Sequence, residues 1–144
     1  MNLHSLIELH WTSKVAPKNL EVLLYNNKIR IVDIKCGLQI IPFDGYQCLH
    51  ITRLDLSNCN LQYLPNTIGA LKNLTVLNIL NNKNFQLSPN IGLLSSLSEL
   101  RVSGGVQNER GIMTEVPSTL HKLLNLRVLM IRNTSISMPP QNIE

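Results

Sequence analysis

The sequence predicts an α/β repeat protein: a solenoid with short parallel strands on its concave face and short helices, 3₁₀ turns or loops on its convex face. Three observations support this. Aliphatic residues recur at a fixed period, each recurrence contains an alternating apolar segment typical of a strand, and only 4% of the 144 residues are aromatic. With so few aromatic rings, the core must be filled by many similar aliphatic side chains, and this favours a repeated structure.

The composition fits one domain and disfavours some functions. Of the residues, 44% are hydrophobic, which is enough for one sizeable core. The chain has 13 Lys+Arg and 9 Asp+Glu and a formal net charge of +4. Its basic residues are scattered singly, with no run that would follow a phosphate backbone, so no nucleic acid partner is expected.

The repeat is clearest in two adjacent segments, residues 51–73 and 74–96, which match at a period of 23. Both follow the pattern L-x-x-L-x-L-x-x-(N/C). The alternating part predicts a strand, and the later apolar residues predict a short helix or 3₁₀ turn behind it. The ninth position holds Cys59 in the first copy and Asn82 in the second, where an inward polar side chain can satisfy buried backbone groups.

Further copies flank these two. Residues 97–125 form a third, with about six extra residues that predict an inserted loop at 106–115. This loop is a second candidate contact element, or equally a tolerated surface insertion. Residues 126–144 form a truncated fourth copy. Residues 29–50 form an upstream copy, whose strand would contain Ile29, Val32 and Ile34.

Residues 1–28 match the pattern poorly and are interpreted as a degenerate repeat or an N-terminal cap. Residues 3–11 resemble residues 94–102, which favours the repeat, but an amphipathic helix over 3–11 would explain the same apolar spacing. Residues 12–28 show no regular pattern. Residues 25–28 (YNNK) could form the turn of a hairpin, since Asn tolerates positive φ.

Side chains between the inward leucines should point out of the concave face, because side chains alternate along a strand. They form columns across the repeats and mix Arg with exposed apolar residues, as the cores of protein interfaces do. Isolated exposed apolar residues are also ordinary on monomers, which is the alternative interpretation. The predicted partner-binding residues are Arg53, Asp55, Val76, Asn78, Leu80, Glu99, Arg101, Met130 and Arg132.

No catalytic or metal-binding motif is found. Cys36, Cys48 and Cys59 form no CxxC pair and are interpreted as buried structural thiols, which fits a reducing, cytoplasmic compartment. The histidines lie far apart in the repeat register, and no phosphate-binding loop or nucleophile elbow occurs. No apolar stretch approaches the roughly 18 residues that a membrane-spanning helix needs. We therefore expect no enzyme activity, cofactor, metal or membrane association.

Residues 54–59 (LDLSNC), 64–74 (LPNTIGALKNL) and 125–129 (NLRVL) resemble leucine-rich repeats. Their sequence pattern is similar to that of the repeat regions of plant nucleotide-binding disease-resistance receptors and of intracellular Ras-group scaffold proteins. This resemblance implies recognition of a partner protein or neighbouring domain, in defence or signalling. The alternative is a structural segment of a longer repeat protein, whose uncapped ends pack on further repeats or self-associate.

Overall fold

The computed structural model describes residues 5–42, 44–82, 85–103 and 116–132. The predicted inserted loop at 106–115 lies outside these ranges. So do residues 133–144, the end of the predicted truncated repeat.

The described residues contain one parallel sheet with its strands in chain order, from β1 to β6. The strands are β1 Glu8–Thr12, β2 Ile31–Lys35, β3 Arg53–Asp55, β4 Val76–Ile79, β5 Glu99–Ser103 and β6 Val128–Arg132. The segments predicted to be side-by-side parallel neighbours are therefore neighbours, and the predicted fold class is confirmed. The boundaries proposed between repeats stay a prediction.

The core lies behind the sheet, where the inward residues of successive strands stack. Leu54, Leu77 and Leu100 are direct partners in the register and are buried. A second inward row of Ile34, Leu56, Ile79 and Val102 is equally buried. Each residue in a row is covered by the row members of the units before and after it. The stability of the fold is therefore a sum over contacts between neighbouring units, as in other solenoids.

Short 3₁₀ helices form the opposite layer, as the apolar spacing predicts. In the described residues they span Gly45–Gln47, Asn66–Ala70, Pro89–Leu93 and Ser118–Lys122. Successive turns approach each other closely. A Cβ atom on Gly92 would lie 2.4 Å from the carbonyl oxygen of Thr119, so only glycine fits there without a shift.

The ninth position of the repeat has the predicted role. Cys59 and Asn82 are completely buried, and the Cys59 thiol donates to the carbonyl oxygen of Ile34 at 2.8 Å. Gly105 and Thr134, which replace the usual Cys or Asn in the later repeats, lie outside the described residues.

The N-terminal region differs from two of the sequence-based interpretations. Residues 8–12 form β1 and pair in parallel with β2, so the amphipathic helix over 3–11 is wrong for this part. The hairpin at 25–28 is also wrong, because that turn joins a helix, α1 (Leu20–Leu24), to β2. The helix lies in the segment predicted to be irregular, and it buries Leu20 and Leu24 against the core.

Trp11 begins the second inward row on β1, the edge strand of the sheet. Its indole N–H donates to the carbonyl oxygen of Val15 at 2.9 Å. The ring is partly buried against the core, so a large aromatic side chain covers one end of the stack of aliphatic residues.

Candidate functional site

The face of the sheet opposite the core is the predicted concave face; we call it the open face. Residues that alternate with the buried leucines lie on it in rows that run across the strands. The first row reads Glu8, Ile31, Arg53, Val76, Glu99 and Val128. The second row reads His10, Asp33, Asp55, Asn78, Arg101 and Met130.

The nine predicted binding residues all belong to strands β3 to β6 or follow them directly. Arg53 and Arg132 are exposed. The other seven are half-buried: Asp55, Val76, Asn78, Leu80, Glu99, Arg101 and Met130. Within each of the first two rows, the register places successive members next to each other on adjacent strands. Whether they bind a partner stays a prediction.

Alternation along the strands also predicts a third column on this face, formed by Ser57, Leu80, Ser103 and Arg132, but the structure leaves it only partly accessible. Ser57 and Ser103 are buried, although both were expected to point outwards with Leu80 and Arg132. Strand β3 ends at Asp55, so Ser57 lies in the following turn, where alternation no longer sets its direction. The Ser103 hydroxyl accepts a hydrogen bond from the backbone N–H of Asn81 at 2.6 Å. A buried hydroxyl with a backbone partner has a structural role.

Asp55 and Asn78 form the polar centre of the open face. The Asn78 amide donates to Asp55 Oδ2 at 2.8 Å, and the N–H of Ser57 donates to Asp55 Oδ1 at 3.0 Å. Burial by itself would raise the pKa of Asp55. Hydrogen bonds from Ser57 and Asn78, together with the charge of Lys35, outweigh burial and hold this pKa below its ordinary value. Asp55 is therefore a fixed anion at neutral pH.

Glu99 and Arg101 provide a second charged pair, on β5. Arg101 Nε lies 2.5 Å from Glu99 Oε1, but the N–H is not directed for a hydrogen bond, so we treat the contact as an ion pair. Val76 lies beside Glu99 in the first row, and Met130 lies beside Arg101 in the second. Charged and apolar groups thus alternate over this end of the face.

The part of the open face that β1 and β2 provide is not among the residues predicted from the sequence. His10 Nε2 lies 3.0 Å from Glu8 Oε2, and Lys35 Nζ lies 3.1 Å from Asp33 Oδ1. The hydrogen bond with Glu8 raises the pKa of His10, and the bond with Asp33 raises that of Lys35. A strand was predicted at β2, with Val32 and Ile34 pointing inwards. Alternation along that strand would have placed Asp33 and Lys35 on the open face, which is half of this cluster.

The described residues offer no site for a metal ion. In the described ranges, no group of three or more His, Cys, Asp or Glu residues is arranged so that it could hold a metal ion. Cys36, Cys48 and Cys59 are free thiols and buried, as predicted. None of the helices found in residues 5–132, outside the gaps given above, is long and apolar enough to cross a membrane.

A parallel sheet with one strand per repeat, backed by 3₁₀ turns, defines this fold as a leucine-rich-repeat solenoid. Among solved structures, a leucine-rich-repeat protein of Leptospira interrogans is similar to it, with a TM-score of 0.70, 24% sequence identity and coverage of 94% of this chain. The chain spans 34% of the length of that protein. No family model matches the chain. No curated protein matches its sequence.

Proposed function

We propose that this chain is a non-catalytic binding module that recognises a partner protein or a neighbouring domain through the open face of its sheet, in a defence or signalling role. The observation that supports this most is the second row, where Asp55, Asn78, Arg101 and Met130 lie in continuous register on adjacent strands. A sheet is a rigid platform, so these groups are ordered before binding and little entropy is lost on association.

The chemistry of the row fits a protein partner. Arg101 carries an aliphatic stem beside Met130, and Val128 in the neighbouring row is 41% exposed. Arg, Met and apolar side chains are enriched at the centres of protein interfaces. Asp55 adds a fixed anion with uncharged hydrogen-bond donors. The buried free thiols fit the cytoplasmic location that we propose for the module.

A capture experiment tests this proposal. The immobilised chain is used to isolate proteins from a cell extract, and the affinity of each captured protein is measured for the chain and for the double variant Arg101→Ala/Met130→Ala. We expect a loss of about 1–4 kcal/mol of binding energy, which is the usual range for truncation at an interface centre. The matched control is Lys122→Ala/Leu124→Ala, which removes one exposed cation and one exposed apolar side chain away from the open face.

If both double variants bind equally well, the open face is not the binding site. If the control alone loses affinity, the site lies outside the open face and includes Lys122 or Leu124. Purified protein with no activity against generic hydrolase and transferase substrates would support the non-catalytic assignment.

A second function is favoured by a separate observation on β6. Leu129 and Ile131 are only half-buried, whereas their register partners Leu100 and Val102 are completely buried. We propose as the alternative that the end of the sheet packs on further repeats or on a second copy of the chain. Sedimentation velocity would test this: concentration-dependent association supports the alternative, and a stable compact monomer contradicts it.

A further inference from the structure

The flank of the sheet where the chain enters each strand differs in charge from the open face. It consists of segments 26–30, 49–52, 72–75, 95–98 and 124–127, all of them described, and none contains Asp or Glu. It carries four exposed cations, which we call the basic flank: Lys28, Arg30, Lys72 and Arg127. The open face, in contrast, is balanced, with carboxylates at Glu8, Asp33, Asp55 and Glu99 and cations at Lys35, Arg53, Arg101 and Arg132.

Arg30 and Arg127 hold the same place in the repeat. The row runs Arg30, Thr52, Thr75, Ser98, Arg127. From Thr52 onwards, the backbone N–H of each member donates to the carbonyl oxygen of the member before it. The side chains between the two arginines, Thr52, Thr75 and Ser98, are short and uncharged. Their hydroxyls donate to carbonyl oxygens of the preceding unit. Adjacent strands lie about 4.8 Å apart, which puts the backbones of Arg30 and Arg127 about 19 Å apart.

An open groove lies at the first end of this row. It is lined by Ser5, Ile7, Lys28 and Arg30. Arg30 Nη1 donates to the carbonyl oxygen of Asn27 at 2.7 Å, which holds the guanidinium beside the groove. Within the described part of the chain, neither Lys28 nor Arg30 forms an ion pair. Ile7 is 58% exposed and gives the groove an apolar wall.

The carboxylates in the row next to the basic flank already have partners. Glu8 and Glu99 lie in the adjacent row of the open face, but Glu8 contacts His10 and Glu99 contacts Arg101. They therefore neutralise little of the charge on the flank. Exposed cations without counter-charges attract acidic partners and accelerate their association.

We propose that the basic flank binds an acidic, extended peptide segment of a partner protein. The segment places one carboxylate against Lys28 and Arg30, an aliphatic side chain against Ile7, and a second carboxylate at Arg127. An extended chain rises about 3.3 Å per residue, so the two carboxylates would be about six residues apart. A nucleic acid fits less well, because a duplex carries a charge about every 1.7 Å, far denser than these cations.

The probe for this site is a fluorescein-labelled peptide of about ten alternating Glu and Leu residues, with its binding followed by fluorescence anisotropy at low salt. We expect Lys28→Glu/Arg30→Glu to weaken binding by about tenfold or more, since two attractions become repulsions. The matched control is Lys14→Glu/Lys18→Glu, which reverses two exposed cations in the loop after β1 and should change binding by about twofold at most.

Arg127→Glu is a second test variant, needed because replacing Arg30 removes the hydrogen bond from its side chain to Asn27 and could disturb that turn. Arg127 is exposed and lies at the other end of the flank, and its reversal should weaken binding by about threefold or more. Circular dichroism checks that each variant is folded.

Three outcomes would overturn the proposal. The first is no binding of the acidic peptide by the unaltered chain. The second is an equal loss in the Lys14/Lys18 control, which would show that net charge alone attracts the probe. The third is tighter binding of a single-stranded DNA of matched charge, lost in the same Lys28/Arg30 variant, which would assign the flank to nucleic acid. An unchanged Arg101→Ala/Met130→Ala variant in this assay separates the flank from the open face.

Discussion

Asn82 accepts a 2.8 Å hydrogen bond from the backbone N–H of Leu61, which belongs to the preceding repeat. The same oxygen accepts from the N–H of Cys59 at 3.2 Å, and the amide nitrogen donates to the carbonyl oxygens of Leu56 at 2.8 Å and Ile79 at 3.0 Å. One buried side chain thus satisfies backbone groups in two adjacent units. The turn after each strand leaves these groups without sheet partners, so the carboxamide replaces the missing bonds.

Replacing this carboxamide should be costly. We expect Asn82→Ala to lower the free energy of unfolding by about 2–5 kcal/mol, because several buried backbone groups lose their partners without access to water. The matched control is Asn73→Ala, since Asn73 is exposed and bonds once to a neighbouring unit, at the carbonyl oxygen of Leu49. It should cost about 1 kcal/mol at most. Urea unfolding measures both, and equal losses would contradict the assigned role of Asn82.

The sheet could be predicted from the sequence because the repeat of buried leucines also fixes which residues pair across the strands. Leu54 and Leu77 are 23 residues apart, and paired residues on neighbouring strands must point to the same face of the sheet. Asn82 could be assigned from its place in the pattern, since a buried amide needs backbone partners there. The rows of the open face across β3 to β6 followed from alternation along each strand.

Other features depend on local departures that periodicity does not encode. Phe85 is completely buried although the core was expected to be aliphatic, and Gln86 pairs with Gln62 at a separation of 24 instead of 23. With this one-residue offset, Phe85 takes the place that Leu61 holds in the preceding repeat, and Leu61 is also completely buried. The helix α1 is only five residues long, too short for a helical period to be recognised.

Gly45 provides a second test of the fold, on the layer of 3₁₀ turns. A Cβ atom there would lie 1.9 Å from the carbonyl oxygen of Thr67, and a backbone oxygen cannot rotate away. We expect Gly45→Ala to cost about 1–3 kcal/mol, as overpacking does. Gly37→Ala is the milder control, because its Cβ would meet the carbonyl oxygen of Lys14 at 3.0 Å. Thermal unfolding compares the two, and a Gly45 variant as stable as the Gly37 variant would contradict the close approach of the turns.

The thiols should be unreactive in the folded chain. Burial raises the pKa of Cys48 and of Cys59 to about 11, and burial also raises the pKa of Cys36. Because the thiolate is the reactive form, iodoacetamide at neutral pH should leave all three unmodified until denaturant is added. Mass spectrometry of the folded and unfolded chain checks this. Rapid labelling of Cys59 without denaturant would contradict its place in the core.

His50 should make the fold less stable in mild acid. Its Nε2 lies 3.1 Å from the carbonyl oxygen of Leu24, and burial lowers its pKa below the ordinary 6.5. The unfolded chain therefore binds more protons than the folded chain just below pH 6.5, so the free energy of unfolding should fall as the pH drops through that range. His50→Gln keeps a donor for Leu24 without titrating, and its unfolding free energy should depend less on pH between about 5 and 7.

His10 supplies the control for this prediction, because its pKa is shifted the other way. The hydrogen bond with Glu8 raises the pKa of His10, so its contribution to stability is complete below pH 6.5 and is lost as the pH rises through the folded value. The contribution should be small, since His10 is exposed and solvent screens the pair. NMR titration should therefore find the His50 ring protonating below pH 6.5 and the His10 ring above it. The reverse order would show that the burial of His50, and with it the contact of its ring with Leu24 of α1, is wrongly assigned.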